Sequence, residues 1–333
     1  MANLADLFTP STLTKAVNAL PKPPSVLGDK KIFKVVPVKT LTVTIESING
    51  KLVLVSNTDR RADPAVKGSS KRKRRTFEIP HLPKSATILP DELNVQAFGE
   101  DASQGTEQAK VINDKLQTLK NDIETTKEFH RVGAISGIIL DADGTTVIYN
   151  LFDEFGVTQK NINVQFSVEA TDIRKQVLGG KRHVQNKLGG AIVREWVAYC
   201  SATYFDALTS HPNVKEAFAN WQAAQDRLGG DMRSGFSYAG VTWIEYEVEV
   251  MATNGQVTKF IPDGKARLVP ITDDLFATYL GPANYNEAVN TLGLEIYAKA
   301  EERKLGKGWD LEAQSNPLSV CTAPDALVTF TAT

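Results

Sequence analysis

Cysteine and long apolar runs are both scarce in this chain of 333 residues. Only Cys200 and Cys321 are present, which is too few for a disulfide framework or a four-cysteine metal site and favours two free thiols in a reducing compartment. No run of about 18 apolar residues occurs, so we expect no spanning helix and no membrane partner. The N-terminus, MANLADLFTP, lacks the charged-then-apolar order of a signal peptide. These absences predict a soluble protein of the cytoplasm.

Neither sign of charge is in excess. Lys and Arg number 38, Asp and Glu number 39, and the net charge at pH 7 is -1. This balance excludes a protein whose whole surface binds nucleic acid through phosphates, while a local basic patch is still compatible with it. Hydrophobic residues make up 42% and charged residues 23%, fractions that exclude a wholly disordered or collagen-like chain. The length predicts about two domains.

Residues that usually carry catalysis or bind metals form no recognisable pattern here. No two histidines have metal-ligand spacing, and neither HExxH nor GxSxG occurs. Asp141-x-Asp143-Gly144 resembles the start of a calcium loop, but Phe152 stands where that loop needs a glutamate, so a hairpin turn is the better interpretation. The sequence therefore predicts no catalytic residue, no cofactor and no metal. The four histidines are His81, His130, His183 and His211.

Two glycine-rich segments also fail to match a known motif. Neither Gly179-Gly180-Lys181 nor Leu188-Gly189-Gly190 fits a phosphate-binding loop. We expect both to end a helix or to form a turn before a strand.

A long helix is the clearest predicted element, at about residues 102–132. Four apolar residues spaced four, three and four apart form a narrow stripe, while other positions, Lys127 among them, are polar. This pattern predicts a helix that rests one face on a thin sheet. The stripe consists of Ile112, Leu116, Leu119 and Ile123.

Residues 40–95 read as an excursion that is poor in core-forming positions. Alternating residues at 41–55 predict a strand with a tight turn at Asn49-Gly50, and strand character returns at Thr76–Ile79 and Ala86–Leu89. Such a stretch cannot bury enough apolar surface to hold itself rigid. Either it is disordered or a neighbouring chain covers it.

One strong basic cluster lies in this excursion, and it has three interpretations. It could be a nuclear or nucleic-acid patch, a solvated loop tip, or a surface that forms ion pairs with another subunit. Its position in a core-poor excursion of a nearly neutral chain favours the intersubunit surface. The cluster consists of Lys71, Arg72, Lys73, Arg74 and Arg75.

Further strands and helices complete an α+β pattern. Proline-rich residues 1–36 predict an arm that lies across another part of the structure, with a helix at 11–20. Glu245, Glu247 and Glu249 alternate as on a solvated strand face. The other predicted elements are a hairpin around Asp143-Gly144, a helix from Asp172 to Leu178, a buried strand at Ala191–Tyr199, a helix from Pro212 to about Gly229, a strand at Val241–Met251, and C-terminal strands at 294–300, 309–313 and 326–330.

Short segments in a fixed order along residues 40–330 carry a family resemblance. They are VTIE at 43–46 with GKL at 50–52, the basic cluster followed by Thr76-Phe77 and Pro80-His81-Leu82, Gly133–Leu140, FDAL at 205–208 with HPNV at 211–214, and, most specifically, Gly308-Trp309 with QSNPL at 314–318, Cys321 and Pro324. In this order they resemble the tailed-bacteriophage major capsid protein E family, to which the lambda major head protein belongs.

The resemblance implies the HK-97-like capsid fold, an α+β architecture. It implies an N-terminal arm at 1–39, an extended loop formed by a β-hairpin at 40–95, a peripheral domain at 96–170 and 294–333 that contains the spine helix, and an axial domain at 171–293.

The implied function is that of a major capsid protein and not of an enzyme. Its copies would form hexamers and pentamers that close into an icosahedral shell in the virion, after assembly in the host cytoplasm, around non-specifically contacted double-stranded DNA. Because the arm leaves no room for a fused scaffold, we expect a separate scaffolding protein, together with a portal and a decoration protein. Lys67, Lys71 and Lys73 are available for the intersubunit crosslink that some relatives make, but the sequence identifies no acceptor for it.

Two other classes of protein stay open at this point. One is an encapsulin-like container outside viruses, which the contents of purified particles would distinguish. The other is an enzyme with a mixed α+β core, which would need a pocket of converging titratable groups.

Overall fold

The structure is a computed structural model that describes residues 10–23, 25–47, 73–94, 104–189, 191–228 and 235–333. Its helices are α1 (Pro10–Ala19), α2 (Val26–Asp29), α3 (Pro90–Leu93), α4 (Gln104–Ser136), α5 (Leu151–Phe155), α6 (Ile173–Lys187), α7 (Ala202–Ser210) and α8 (Pro212–Leu228), with 3-10 turns at Asn286–Ala288, Lys304–Gly306 and Pro324–Ala326.

The strands of the described residues form six sheets. In chain order they are β1 (Lys34–Pro37), β2 (Thr42–Ser47), β3 (Lys73–Glu78), β4 (Leu82–Ile88), β5 (Ile138–Leu140), β6 (Val147–Asn150), β7 (Lys160–Val164), β8 (Glu195–Cys200), β9 (Phe236–Tyr238), β10 (Val241–Glu245), β11 (Glu249–Met251), β12 (Val257–Lys259), β13 (Lys265–Ile271), β14 (Phe276–Leu280), β15 (Tyr297–Glu302), β16 (Trp309–Ser315), β17 (Pro317–Cys321) and β18 (Val328–Ala332). The sheet orders are β1-β14-β17, β7-β18-β13-β8-β10-β9, β15-β16-β4, β2-β3, β5-β6 and β11-β12.

The chain folds as two units. Unit 1 comprises residues 1–43, 76–130 and 277–319, and unit 2 comprises residues 44–75, 131–276 and 320–333. Each unit therefore collects segments that are far apart in the sequence.

In unit 1 the long helix rests on a thin sheet, which confirms the prediction from its apolar stripe. All four stripe residues are buried, in one core with Leu311 and Ala313 of β16 and Ala298 in β15. The sheet is antiparallel throughout, with Leu311 opposite both Ala300 of β15 and Ala86 of β4. Helix α4 is longer than predicted, because it continues to Ser136.

The N-terminal arm lies across this core, as its proline-rich sequence predicts. Leu13 and Val17 of α1 are buried against the α4 stripe. Thr14 Oγ1 donates to the carbonyl of Ala298 and accepts from its N–H, both at 3.1 Å, and Asn18 Nδ2 donates to the carbonyl of Ile296 at 2.8 Å. Side chains of α1 thus satisfy the main chain at the edge formed by β15, where open peptide groups would otherwise invite another strand.

One polar residue of α4 is not where the sequence predicts it. Lys127, expected on the solvated side of the helix, is only 2% exposed, and its Nζ bonds to the buried carboxylate of Glu124 at 2.7 Å. The helix is buried on a second side as well as along its apolar stripe. A polar residue type in this helix therefore did not predict an exposed side chain.

Unit 2 is built on the six-stranded sheet, whose central strands are β13 and β8. Helices α6, α7 and α8 supply Val177, Tyr204 and Val214 to a core that also contains Trp243 and Phe330 from the sheet. Tyr204 stacks on Trp243 with ring centroids 5.9 Å apart. The sheet mixes parallel and antiparallel pairs, as in an α+β fold.

Two strand predictions in this unit were wrong in extent. The strand predicted at Ala191–Tyr199 begins only at Glu195. Ile192 is 84% exposed, so this apolar residue ahead of the strand does not belong to the hydrophobic core. The strand predicted at Val241–Met251 is broken into β10 and β11. At the break, the Glu247 carboxylate accepts from the N–H of Ala202 at 3.0 Å and from Lys259 Nζ at 2.6 Å.

The expectation that Gly179-Gly180 ends a helix was wrong. Helix α6 begins after the N-cap Asp172, as predicted, but runs through both glycines to Lys187. A Cβ at Gly180 would lie 2.9 Å from Cζ of Phe330, whereas one at Gly179 would meet nothing within 4 Å. Gly180 lets the helix approach the sheet closely. The second segment behaves as predicted, because Leu188 caps the helix and Gly189 has a φ of +62°.

The adjacent glycines should respond to alanine with opposite signs. Gly179→Ala is expected to stabilise unit 2 by about 0.5–1 kcal/mol, since alanine loses less chain entropy in a helix interior. Gly180→Ala should destabilise it by about 1–3 kcal/mol through overpacking against Phe330. Thermal unfolding of the two variants beside the parent protein measures both effects. Equal shifts in one direction would contradict the assigned packing.

The predicted hairpin turn at Asp143-Gly144 is confirmed. Strands β5 and β6 pair antiparallel on either side of it. The Asp143 carboxylate accepts from the Thr146 hydroxyl and from the N–H groups of Thr145 and Thr146, which hold the pKa of Asp143 down at about 2. The carboxylate serves the turn, as the sequence interpretation required.

Candidate intersubunit surfaces

The basic cluster falls at the edge of the described residues. Lys71 and Arg72 lie outside them, and so does the predicted turn at Asn49-Gly50. Lys73 begins strand β3, and Arg74 and Arg75 follow it in the same strand. The described part of the cluster therefore lies in a strand that pairs with β2.

The two described arginine side chains differ in their surroundings. Arg74 is exposed, whereas Arg75 is half-buried. The Arg75 Nε–H donates to the carbonyl of Glu154, near the end of α5, and its Nη1 donates to the Arg74 carbonyl at 3.4 Å. A cation beside the last carbonyls of a helix is favourable. Arg75 is thus engaged within its own chain, and Arg74 is the more exposed of the two side chains.

A groove of about 480 Å³ lies in unit 1 beside Leu41 and Ile79 of the predicted loop. Leu41 and Ile79 line one part of it, and Tyr285 and Val289 line another. The sequence did not point to this groove, because its walls come from segments more than 200 residues apart that only the fold brings together.

The buried side-chain amide of Asn316 holds one wall of the groove. His81 Nδ1 lies 2.7 Å from Oδ1 of Asn316, whose Nδ2 donates to the Pro282 carbonyl at 2.7 Å. Asn316 is 5% exposed and belongs to the QSNPL segment that carries the family resemblance most specifically. The segment therefore has a structural use, which is to fix one wall of the groove.

Large apolar side chains are exposed beside the groove. Leu41 is 66% and Val289 is 63% exposed, and Leu292 and Leu294 flank Gly293, whose N–H donates to the Val38 carbonyl at 3.0 Å. Exposed apolar residues grouped in this way are typical of a surface that another chain covers.

The two cysteines are buried, and His183 and His211 have main-chain hydrogen-bond partners. Burial raises the pKa of both cysteine thiols, which makes them poor nucleophiles. His183 Nε2 lies 2.9 Å from the Asp325 carbonyl, and His211 Nε2 lies 3.2 Å from the Val168 carbonyl. Across the described ranges, no group of three or more metal-ligating side chains converges. The helices described there also include none with the length and hydropathy to cross a membrane.

Comparison with known proteins gives one consistent match. The family model described as phage major capsid protein E matches residues 9–332. The chain is 28% identical to the major capsid protein of Pseudomonas phage KPP10, with 98% of this chain and 97% of the relative aligned. It is 25% identical to the major capsid protein of Salmonella phage Felix O1, with 96% and 95% aligned.

Solved structures match over the same length. A protein assigned as the capsid protein of a prophage of E. coli CFT073 superposes with a TM-score of 0.63 at 16% identity, covering 97% of this chain and 99% of the other. A phage-related protein of Bordetella bronchiseptica superposes with a TM-score of 0.53 at 15% identity, covering 97% of each chain. At such low identities these superpositions show only that the chain and the two solved structures have the same fold.

Proposed function

The chain belongs to the phage major capsid protein E family, and from that membership we propose that it builds its shell from hexamers and pentamers whose extended loops, residues 40–95, lie on adjacent copies. The fold is the HK-97-like capsid fold, as the order of sequence segments implied. The protein is a major capsid protein of a tailed phage, a structural protein of the virion that assembles with copies of itself. The observation that carries this conclusion is the family match across residues 9–332.

The domain assignment is part of the proposal. We place the peripheral domain at 96–170 and 294–333 and the axial domain at 171–293. The packing of α4 on β15 and β16 supports the first assignment, and the shared core of α6, α7, α8 and the six-stranded sheet supports the second. Strands β7 and β18 are the exception to these ranges: both lie within 96–170 and 294–333, but they pair within the six-stranded sheet, so we assign them to the axial domain.

The intersubunit role of Lys71–Arg75 is likewise proposed. Rings of identical subunits meet through two non-identical patches, and a basic patch on one copy needs an acidic patch on the next. The exposed position of Arg74 supports the role, and Arg75 would orient the strand through its bond to Glu154.

The remaining partners follow from the proposed shell. Double-stranded DNA would be enclosed, and a separate scaffolding protein, a portal and a decoration protein would act with this chain in the host cytoplasm. Its role would be assembly and not catalysis, which the buried, high-pKa thiols and the main-chain partners of His183 and His211 support. The container alternative is not favoured, because the family match and the curated relatives are phage capsid proteins.

Electron microscopy and sedimentation of the purified protein test the proposal. We expect closed megadalton particles with hexamers and pentamers, formed by the chain alone or when it is co-produced with neighbouring phage proteins. A small oligomer that stays small under both conditions would contradict it.

A further inference from the structure

Helix α6 and the residues after it carry a second basic surface. Between Asp172 and Glu195 the chain contains six Lys or Arg residues and no Asp or Glu, although its net charge is -1. The six are Arg174, Lys175, Lys181, Arg182, Lys187 and Arg194. The six basic residues are separated by apolar residues and glycines, so they do not form a continuous basic run in the sequence. What marks the segment in the sequence is that it contains no acidic residue.

The packing of α6 fixes the direction of its charged face. Ile173, Val177 and Val184 are buried in the core of unit 2, and Gly180 lies against Phe330. The residues on the opposite side are exposed, and at 3.6 residues per turn they lie within about 120° of the helix circumference. They are Arg174, Lys175, Arg182, Gln185 and Asn186.

Three of the six cations are engaged within the chain. Lys181 Nζ donates to the Gly240 carbonyl at 3.0 Å, Lys187 lies 3.5 Å from the Asp325 carboxylate, and Arg194 pairs with Asp273. They hold turns and strand ends in place and are not candidates for an outside partner.

The other three cations have no such role. Arg174, Lys175 and Arg182 form no ion pair with any residue that the structure describes. The nearest carboxylate in sequence, Asp172, is used as the N-cap, where it accepts the Lys175 N–H at 2.9 Å. The basic face of α6, defined as Arg174, Lys175 and Arg182, therefore carries three positive charges that form no ion pair among the described residues, on a rigid element.

We propose that the basic face of α6 binds the phosphate backbone of the packaged double-stranded DNA. The inference rests on the proposed function, which places DNA inside the shell. Arginine, lysine and amide side chains on one exposed helix face are the groups that contact phosphates, and Gln185 and Asn186 add the amides. Arg174 and Arg182 lie about 12 Å apart along the helix, so they reach separate phosphates.

An acidic surface on a second copy is the competing partner, and the composition of the face argues against it. Protein interfaces have apolar or aromatic centres, whereas interfaces with DNA are polar and strongly positive. None of the large apolar side chains of α6 is among the exposed ones of the described residues. The helix face has charge without an apolar anchor, and the exposed Ile192 lies beyond the end of α6.

The test compares dsDNA binding by the full-length protein and by Arg174→Gln/Lys175→Gln/Arg182→Gln, using a duplex of about 30 base pairs and fluorescence anisotropy over a series of salt concentrations. Glutamine preserves helix propensity. The triple variant should bind at least about tenfold more weakly, and the slope of log K against log salt should fall by about 2–3, since each phosphate contact contributes about 0.9. The matched control is Lys160→Gln/Lys215→Gln/Lys304→Gln, three exposed lysines elsewhere, which should bind as the parent does.

The outcomes separate this inference from the proposed function. Equal DNA binding by the parent protein and the triple variant, or an equal loss in the control, would overturn the inference. Equal DNA binding together with loss of closed shells in micrographs of the triple variant would identify the face as a subunit contact, which also overturns it. Failure of the parent protein itself to form shells contradicts the proposed function, whatever its affinity for DNA.

Discussion

Reversing the charge of the whole basic cluster, by replacing Lys71, Arg72, Lys73, Arg74 and Arg75 with glutamate, is expected to abolish closed shells while leaving the subunit folded. A patch that meets an acidic surface on the next copy would then face like charge, which costs several kcal/mol at each contact. A loss of about 1.4 kcal/mol already lowers an association constant tenfold, and a ring repeats the loss at every interface. Electron microscopy should show no closed particles, and circular dichroism should show the secondary structure of the parent.

A second version of this variant separates assembly from folding. Arg75 donates to the Glu154 carbonyl within its own chain, so its replacement also removes an internal contact. The version that retains Arg75 and reverses the other four should lose shells equally. Reversal of four scattered exposed lysines, Lys30, Lys215, Lys304 and Lys307, is the charge-matched control and should assemble. Normal shells from the four-residue cluster variant would refute the proposed role.

The elements that could be predicted from the sequence are those with a periodic or capped local signal. The α4 stripe predicted both a helix and the side on which it is buried, because a period of 3.6 residues has no other simple explanation. The Asp172 N-cap and Pro212 at the start of α8 likewise mark helix starts through local chemistry. Local signals failed where a distant segment decides the outcome, as at Gly180, which faces Phe330 across 150 residues of sequence.

The candidate surfaces follow the same division. The loop cluster is visible in the sequence because its five basic residues are consecutive. The groove is not, since Leu41, Ile79 and Val289 become neighbours only in the fold. The basic face of α6 lies between these cases. Its basic residues are close together in the sequence, but only the buried side of the helix shows that Arg174 and Arg182 share its exposed face.

Replacing Lys120 with methionine is expected to destabilise unit 1 by about 2–4 kcal/mol and to release the N-terminal arm. Lys120 of α4 is 1% exposed, and its Nζ donates to the carbonyls of Val17 at 2.8 Å and Leu20 at 2.6 Å. The last carbonyls of a helix have no partner within it, and α1 has no basic residue in its own last turn. Lys120 supplies from another helix both the donors and the positive charge that this terminus favours.

Methionine fills a similar volume but leaves two carbonyls without their donor, each at a cost of about 1–3 kcal/mol. Burial lowers the pKa of Lys120, because desolvation penalises the ammonium, and removing that penalty offsets part of the loss. The contacts of Thr14 and Asn18 with β15 would no longer be supported from the other end of α1. Hydrogen exchange should therefore rise in residues 10–20 before it rises elsewhere in the unit.

Lys115→Met is the matched control for Lys120→Met. Lys115 lies in the same helix, and its Nζ pairs with the Glu92 carboxylate at 2.9 Å, with both side chains 35% exposed. Solvent screens a partly exposed ion pair, so thermal unfolding should barely shift and exchange in the arm should stay as in the parent. The contrast isolates burial, because helix, residue type and substitution are the same in both variants. If the two variants lost equal stability, or if exchange in residues 10–20 did not change in Lys120→Met, then burial of Lys120 under α1 would not be what holds the arm. The arm would instead depend on its apolar contacts, Leu13 and Val17, and on the side chains that join it to β15.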